Sequence, residues 1–333
     1  MAGLTLVAGA GGFIGGQLVR DLAAEGTAVR AVDCKPFDLW FQRCDEAQNQ
    51  MLDLRELRAC ETATKGVEEV YNLAADMGGM GFIERNKALC MLSVLINTHL
   101  LMAARANGVA RFFFSSSACV YADSRQRETD GPPLKESDAY PAMPEDGYGW
   151  EKLFSERMCR HFREDFGIAT RIGRYHNVYG PFGTWEGGRE KAPAAISRKA
   201  AAAVLTGRHE IEIWGDGEQT RSFMHIDDCL KGTKMLMHSD FVHPLNIGSD
   251  ELVSINGLVD IVEEIAGVRL KRRYNLDAPK GVRGRNSDNS LIRRVLGWAP
   301  SIKLKDGMEK TYRWIYDQMK MRAEGRPFVA ACG

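Results

Sequence analysis

Tyr148 and Lys152, in the stretch YGWEK, are four residues apart, the spacing that puts two side chains on one face of a helix. A tyrosine of ordinary pKa, about 10, is a poor base at neutral pH, but nearby positive charge favours its phenolate. Such a pair can take the proton of a hydroxyl while hydride leaves the same carbon. Ser116 or Ser117, closing the apolar run RFFFSSS (111–117), can hydrogen-bond that hydroxyl. Cys119 follows immediately and should face the same place. Neighbouring positive charge brings a thiol, of pKa about 8.5, into range as a thiolate. Lys191 stands two residues before Pro193, a good first-turn residue for a helix. A lysine at a helix N-terminus loses proton affinity, as an acid should. Two such groups on opposite faces of a carbon can remove a proton and return one. Free cysteine is also a common core residue, and a lysine among glycines is commonly solvated. Residue types alone leave both readings open.

These side chains need a scaffold and an oxidant. LTLVA (4–8) reads as a buried strand that runs into GAGGFIGG (9–16) and then an amphipathic helix ending at Gly26. Gly9, Gly12 and Gly15 form G-x-x-G-x-x-G between strand and helix, the context of a dinucleotide pyrophosphate on a helix N-terminus. AVRAVD (28–33) ends in Asp33, whose carboxylate suits ribose hydroxyls and repels a 2′-phosphate, favouring NAD over NADP. Asp53 follows a third strand and could meet an adenine amino group or simply cap a helix. AADMGGMG (74–81), after a fourth strand, is a glycine-rich loop that could pass cofactor and substrate or be a plain turn.

Strands alternating with helices imply an α/β fold, a Rossmann-like doubly wound parallel sheet. Residues 1–180 are expected to form the NAD-binding domain, with parts of 215–250 returning to it. Residues 181–325 should form a smaller lobe, with helices near 253–267 and 305–325. Arg221, Arg283 and Arg285, in glycine-flanked loops of that lobe, suit a diphosphate. His176, Trp185 and Trp214 read as packing residues.

The constellation resembles the extended short-chain dehydrogenase/reductase family over about residues 4–318. LAADMGGMGF (73–82), GRYHNVYGPFGTWEGGREKAPAA (173–195) and GVRGRNSDN (281–289) resemble its GDP-mannose 3,5-epimerase branch. That resemblance implies a GDP-mannose or related GDP-sugar substrate, for instance a GDP-heptose, and a homodimer through helices near 86–107 and 149–166. It implies that Tyr148, Lys152 and Ser117 perform the redox step, with Cys119 and Lys191 as the acid/base pair. NAD contacts would include Phe13, Ile14, Leu73, Ala74, Ala75 and Ser115. Substrate contacts would include Gly78, Ala118, Asn177, Glu190, Ala192, Lys199, Gln219 and Thr220. Sugar-nucleotide 4,6-dehydratases, the alternative, place acids after the serine strand, whereas 118–120 here read Ala-Cys-Val.

The chain has 333 residues and zero formal net charge, which argues against a general nucleic-acid coat. The neutrality is composite: residues 1–150 sum to −6 and residues 151–333 to +6. The positive half holds the arginines proposed for a diphosphate. Eight cysteines without a CxxC pair suggest neither a zinc site nor a thioredoxin motif. With no signal-peptide pattern, and no apolar run recognised near the ~20 residues of a membrane span, a cytoplasmic protein without a membrane partner is expected.

Overall fold

The computed structural model describes residues 3–279 and 281–326; Cys332 lies outside them. The first half alternates except between its second and third strands, which only a short 3-10 turn separates: β1 (Leu4–Ala8), α1 (Phe13–Ala24), β2 (Val29–Asp33), β3 (Gln48–Met51), α2 (Leu57–Thr64) and β4 (Val67–Asn72). Three helices follow, α3 (Met80–Arg85), α4 (Lys87–Met91) and α5 (Ser93–Ala106), then β5 (Arg111–Ser117), α6 (Tyr148–Phe166), β6 (Ala169–Tyr175) and β7 (Val178–Tyr179). The second half runs α7 (Ala192–Thr206), β8 (Glu210–Trp214), β9 (Thr220–Ser222), β10 (Met224–His225), α8 (Ile226–Met237) and β11 (Leu245–Ile247). It continues with β12 (Leu252–Ser254), α9 (Ile255–Ala266), β13 (Lys271–Asn275), β14 (Gly284–Arg285), α10 (Ser290–Leu296) and α11 (Leu304–Ala323).

Seven parallel strands form the main sheet in the order β11-β6-β5-β4-β1-β2-β3. Its central strands are apolar on both faces because helices cover both, as a parallel sheet requires. Leu6, Val32, Val70, Phe112 and Phe114 pack beneath α2 and α5 on one face; Val7, Ala31, Tyr71 and Phe113 meet α1 and α8 on the other. The chain re-enters this sheet at β11, after α8. The smaller lobe has its own core, where α7, α9 and α11 pack together around Ile196, Val259 and Met308. Ser254 caps α9 by accepting the Gly257 amide at 2.9 Å, and Gly267 ends it at φ 66°.

One expectation needs correction. Lys87–Ala106 is a helical stretch long and apolar enough, by length and composition, to cross a membrane. It is apolar on two sides. Leu100, Leu101 and Ala104 face the core, while Leu92, Leu95 and Met102 are exposed.

Candidate active site

The loop from β1 to α1 is held tightly. A Cβ on Gly15 would stand 2.1 Å from the Gly9 carbonyl oxygen, so only glycine lets α1 lie this close to the loop. Gly12 is the N-cap of α1 and provides no side-chain cap, and the first turn has no acid. Those amide groups are available to an anion. They open onto a cavity of about 240 Å³ lined by Gly9, Gly12, Phe13, Ile14, Gly15, Leu73, Ala75, Ser115, Tyr148 and Lys152. Ala74 touches Gly9 through its backbone. Asp33, buried, accepts the Gly11 amide at 3.0 Å and the Lys35 amide at 3.1 Å. It therefore shapes the loop end where a ribose would lie. Glycine cradle, uncapped helix and buried acid fit NAD. Asp53 is set apart: it pairs with Arg55 at 2.6 Å, which holds its carboxyl below the usual range, and Glu56 is the N-cap of α2. Lys35 and Phe41 line the cavity too and had no distinguishing pattern in the sequence.

A second cavity, about 300 Å³, lies against the smaller lobe. Met77, Gly78, Ser117, Tyr148, Tyr175 and Lys191 line both cavities, so they mark the junction of cofactor and substrate. Of the expected substrate residues, Ala118, Cys119, Asn177, Glu190, Ala192, Lys199, Gln219, Arg221 and Arg285 line it as well. Thr220 instead donates to the Thr129 carbonyl, and Arg283 pairs with both oxygens of Asp216 at 2.8 Å on the exterior.

The serine strand divides its labour. Ser115 donates to the Asn72 carbonyl at 3.0 Å, and Ser116 to buried Glu156 at 2.5 Å. Ser117 accepts the Cys119 amide at 3.2 Å and hydrogen-bonds Tyr148. Burial pushes the Tyr148 phenol well up, Cys119 and Glu151 add to this, and the Ser117 bond opposes it. Lys152 lies 5.5 Å from the centre of the Tyr148 ring, 4.7 Å from that of Phe114, and 3.6 Å from Glu151. Its charge thus stands under the ring. Gly149 permits the meeting of α6 with the cysteine: a Cβ there would stand 2.3 Å from the Cys119 carbonyl oxygen.

Lys191 is the N-cap of α7, with Pro193 in the first turn. The residue is half-exposed, yet its ammonium is deep in the cavity, and burial lowers its proton affinity while Cys119 and Cys229 oppose. Burial also brings the Arg221 guanidinium down to about 10, and Cys119 opposes. Lys199 donates to the Glu212 carbonyl at 2.6 Å. Glu190 accepts from Gly188 at 2.7 Å and Arg198 at 3.1 Å. Asn177 takes φ 42°, a left-handed turn that asparagine tolerates, and donates to the Ser222 carbonyl at 3.0 Å. His176 is structural: it is buried, bonded to Asn246 at 3.0 Å, and lowered by burial to about 4. Trp185 is packed, but Trp214 is not; 43% exposed, it lines the far end of the cavity and lies over Gly81. The loop 74–81 closes against 189–190: the Gly79 amide donates to Arg189 at 2.9 Å, and Arg189 pairs with Asp76 at 2.6 Å.

Residues 5–248 match the NAD dependent epimerase/dehydratase family. The chain belongs to that family. Among curated members, it is 50% identical over 96% of its length to a GDP-mannose 3,5-epimerase of Arabidopsis thaliana, covering 84% of that protein. It is also 50% identical to GDP-mannose 3,5-epimerase 1 of Oryza sativa subsp. japonica, over 94% of this chain and 82% of the other. Among solved members, the UDP-glucuronic acid 4-epimerase of Bacillus cereus, in complex with UDP-glucuronic acid and NAD, matches with a TM-score of 0.79 at 26% identity, over 94% of this chain and 99% of the other. The UDP-glucose 4-epimerase of Thermotoga maritima shares the fold, with a TM-score of 0.85 at 24% identity, over 95% and 99% of the two chains.

Proposed function

We propose that the protein epimerises GDP-mannose at C3 and C5 of the hexose to GDP-L-galactose, and to GDP-L-gulose where C5 alone inverts. What carries this reading is the one cavity that holds Tyr148 and Ser117 together with Cys119 and Lys191, in a chain half identical to relatives of that name. Bound NAD supplies a hydride acceptor and donor for C4 of the sugar. Tyr148, held by Ser117, takes the C4 hydroxyl proton and later returns it; its burial favours the neutral phenol and so the return. A ketone at C4 acidifies the hydrogens on C3 and C5, because each carbanion is delocalised as an enolate. Cys119 removes a proton and Lys191 returns one, which its lowered proton affinity assists. One oxidation thereby activates two carbons. A dehydratase would need an acid at 118–120; Glu145, whose amide bonds the Cys119 carbonyl, has its carboxylate engaged by Arg285. The test incubates the enzyme with GDP- and UDP-sugars in deuterated water and resolves product stereochemistry. Cys119→Ala should bind NAD but place no deuterium at C3 or C5; normal exchange in that variant would remove Cys119 from the mechanism.

We further propose a cytoplasmic homodimer. Trp150, Phe154, Met158, Phe162 and Phe166 follow at four-residue spacing along α6, and Trp150, Phe154 and Phe166 are exposed. With Leu92, Leu95 and Met102 of the neighbouring α4–α5 segment they make an apolar face suited to the same face of a second copy. The seven cysteines among the described residues are free, which suits a reducing compartment.

A further inference from the structure

Arg285 suits a diphosphate by residue type, but its surroundings place it elsewhere in the cavity. Its side chain is 6% exposed, and its guanidinium is fixed on three sides. Nε donates to Gln126 Oε1 at 2.6 Å, Nη2 forms an ion pair with Glu145, and Nη1 lies 3.8 Å from the sulfur of Cys119. Both clamping residues are themselves anchored. Gln126 is 1% exposed, donates to the Tyr121 and Ala122 carbonyls at 3.2 and 3.3 Å, and accepts the Arg283 and Gly284 amides at 2.9 and 3.1 Å through its own carbonyl. The Glu145 amide donates to the Cys119 carbonyl at 3.1 Å, so the carboxylate that orients the arginine is registered against the cysteine it serves.

We infer that Glu145 is a positioning residue: with Gln126 it holds the Arg285 fork against the sulfur of Cys119, and Arg285 serves the proton-transfer end of the cavity rather than the diphosphate. A guanidinium fixed beside a sulfur stabilises the thiolate that must form when Cys119 acts as a base. A freely rotating arginine would spend that charge on solvent or on the substrate phosphates. The ionisable groups around Cys119 are Arg285, Arg221, Lys191, Tyr148, Cys90 and, behind the arginine, Glu145. Of these, Glu145 is the one whose removal frees Arg285 without adding or deleting a group at the sulfur. An acceptor oxygen is what the clamp requires, so glutamine can replace glutamate while alanine cannot.

The sugar half of the test rests on the epimerase reading; the thiol half does not. In the NAD-loaded enzyme, Cys119 is alkylated with iodoacetamide across pH and read by peptide mass spectrometry. Glu145→Ala should shift the midpoint of Cys119 alkylation to higher pH, and Arg285→Lys should do the same. Deuterium exchange at C3 and C5 should fall on the order of 100-fold in kcat with KM little changed, the effect of a misplaced reacting group. Glu145→Gln should restore most of both. An unchanged alkylation profile would overturn the inference. So would a midpoint moved to lower pH, since Glu145 would then only oppose the arginine's charge. A raised KM with intact kcat would return Arg285 to the diphosphate. If the wild type exchanges no sugar hydrogens but the alkylation shifts hold, the clamp stands and the substrate assignment fails.

Discussion

Two groups of buried charge lie on either side of the end of β5, and they are built in opposite ways. Beneath the strand, Arg174 is bidentate to Glu156 at 2.8 and 2.9 Å, donates to the Glu136 carbonyl at 2.8 Å, and shares Glu156 with Ser116. Burial opposes its charge, but Glu156 and Tyr121 more than offset this and raise its proton affinity. Above the strand, Lys191 has no carboxylate partner among the described residues, and burial lowers its proton affinity. The paired charges below hold β5, α6 and β6 in register, which a scaffold needs. The lysine above is kept near the point of giving up its proton, which a catalyst needs. The contrast separates structural from functional charge with residues of the same sign, both of whose charged ends are withdrawn from solvent.

That contrast can be broken from either side. The largest effect should come from below. Arg174→Met leaves Glu156 buried and unpaired, and denaturant unfolding should show a loss of about 3–5 kcal/mol, with Arg174→Met/Glu156→Leu recovering much of it. From above, Lys191→Met should cost activity rather than stability. Solvent exchange at C3 and C5 should fall roughly 10²–10⁴-fold. Its folded-state affinity lies below the ordinary 10.5, so the unfolded chain binds the extra proton between the two values. Stability of the wild type then rises with pH across that window. Lys191→Met should therefore be the more stable protein at neutral pH, and its advantage should vanish as pH approaches 10.5. An advantage that grew with pH would contradict the buried ammonium. The smallest effects sharpen the same division among the arginines. Arg221→Ala should raise KM for the sugar nucleotide about 10–100-fold, the range of a charge-assisted contact. Arg283→Ala, which removes an exterior pair with Asp216, should change stability by about 0–1 kcal/mol and KM hardly at all.

The cofactor half was legible because its residues are consecutive and their spacing has a mechanical reason. A parallel strand, a glycine turn and a helix N-terminus occur together in ten residues of sequence, and the same span lines the cavity. The substrate half was legible only through resemblance. Arg283 and Arg285 are two residues apart in equally glycine-rich surroundings, and nothing local separates them. Strand alternation would put them on one face; the structure parts them because Arg283 lies just before β14 and turns outward to Asp216, whereas Arg285, within it, reaches inward to Cys119. Gln126 and Glu145 carried no signal at all, since each is an ordinary polar residue in a loop. Trp214 was misread as packing because a tryptophan followed by Gly-Asp-Gly gives no hint of which side of β8 is covered.

The sequence by itself determined the doubly wound sheet, the dinucleotide turn and the Tyr148–Lys152 pair, because each depends on periodicity or on spacing within one element. Only the tertiary structure decided which serine faces the tyrosine, which arginine reaches Cys119, and that the Lys191 ammonium is buried without a carboxylate partner among the described residues. Those outcomes depend on side chains brought together from β5, α6, α7 and β14, and burial is a property of the assembled cavity that no single segment contains.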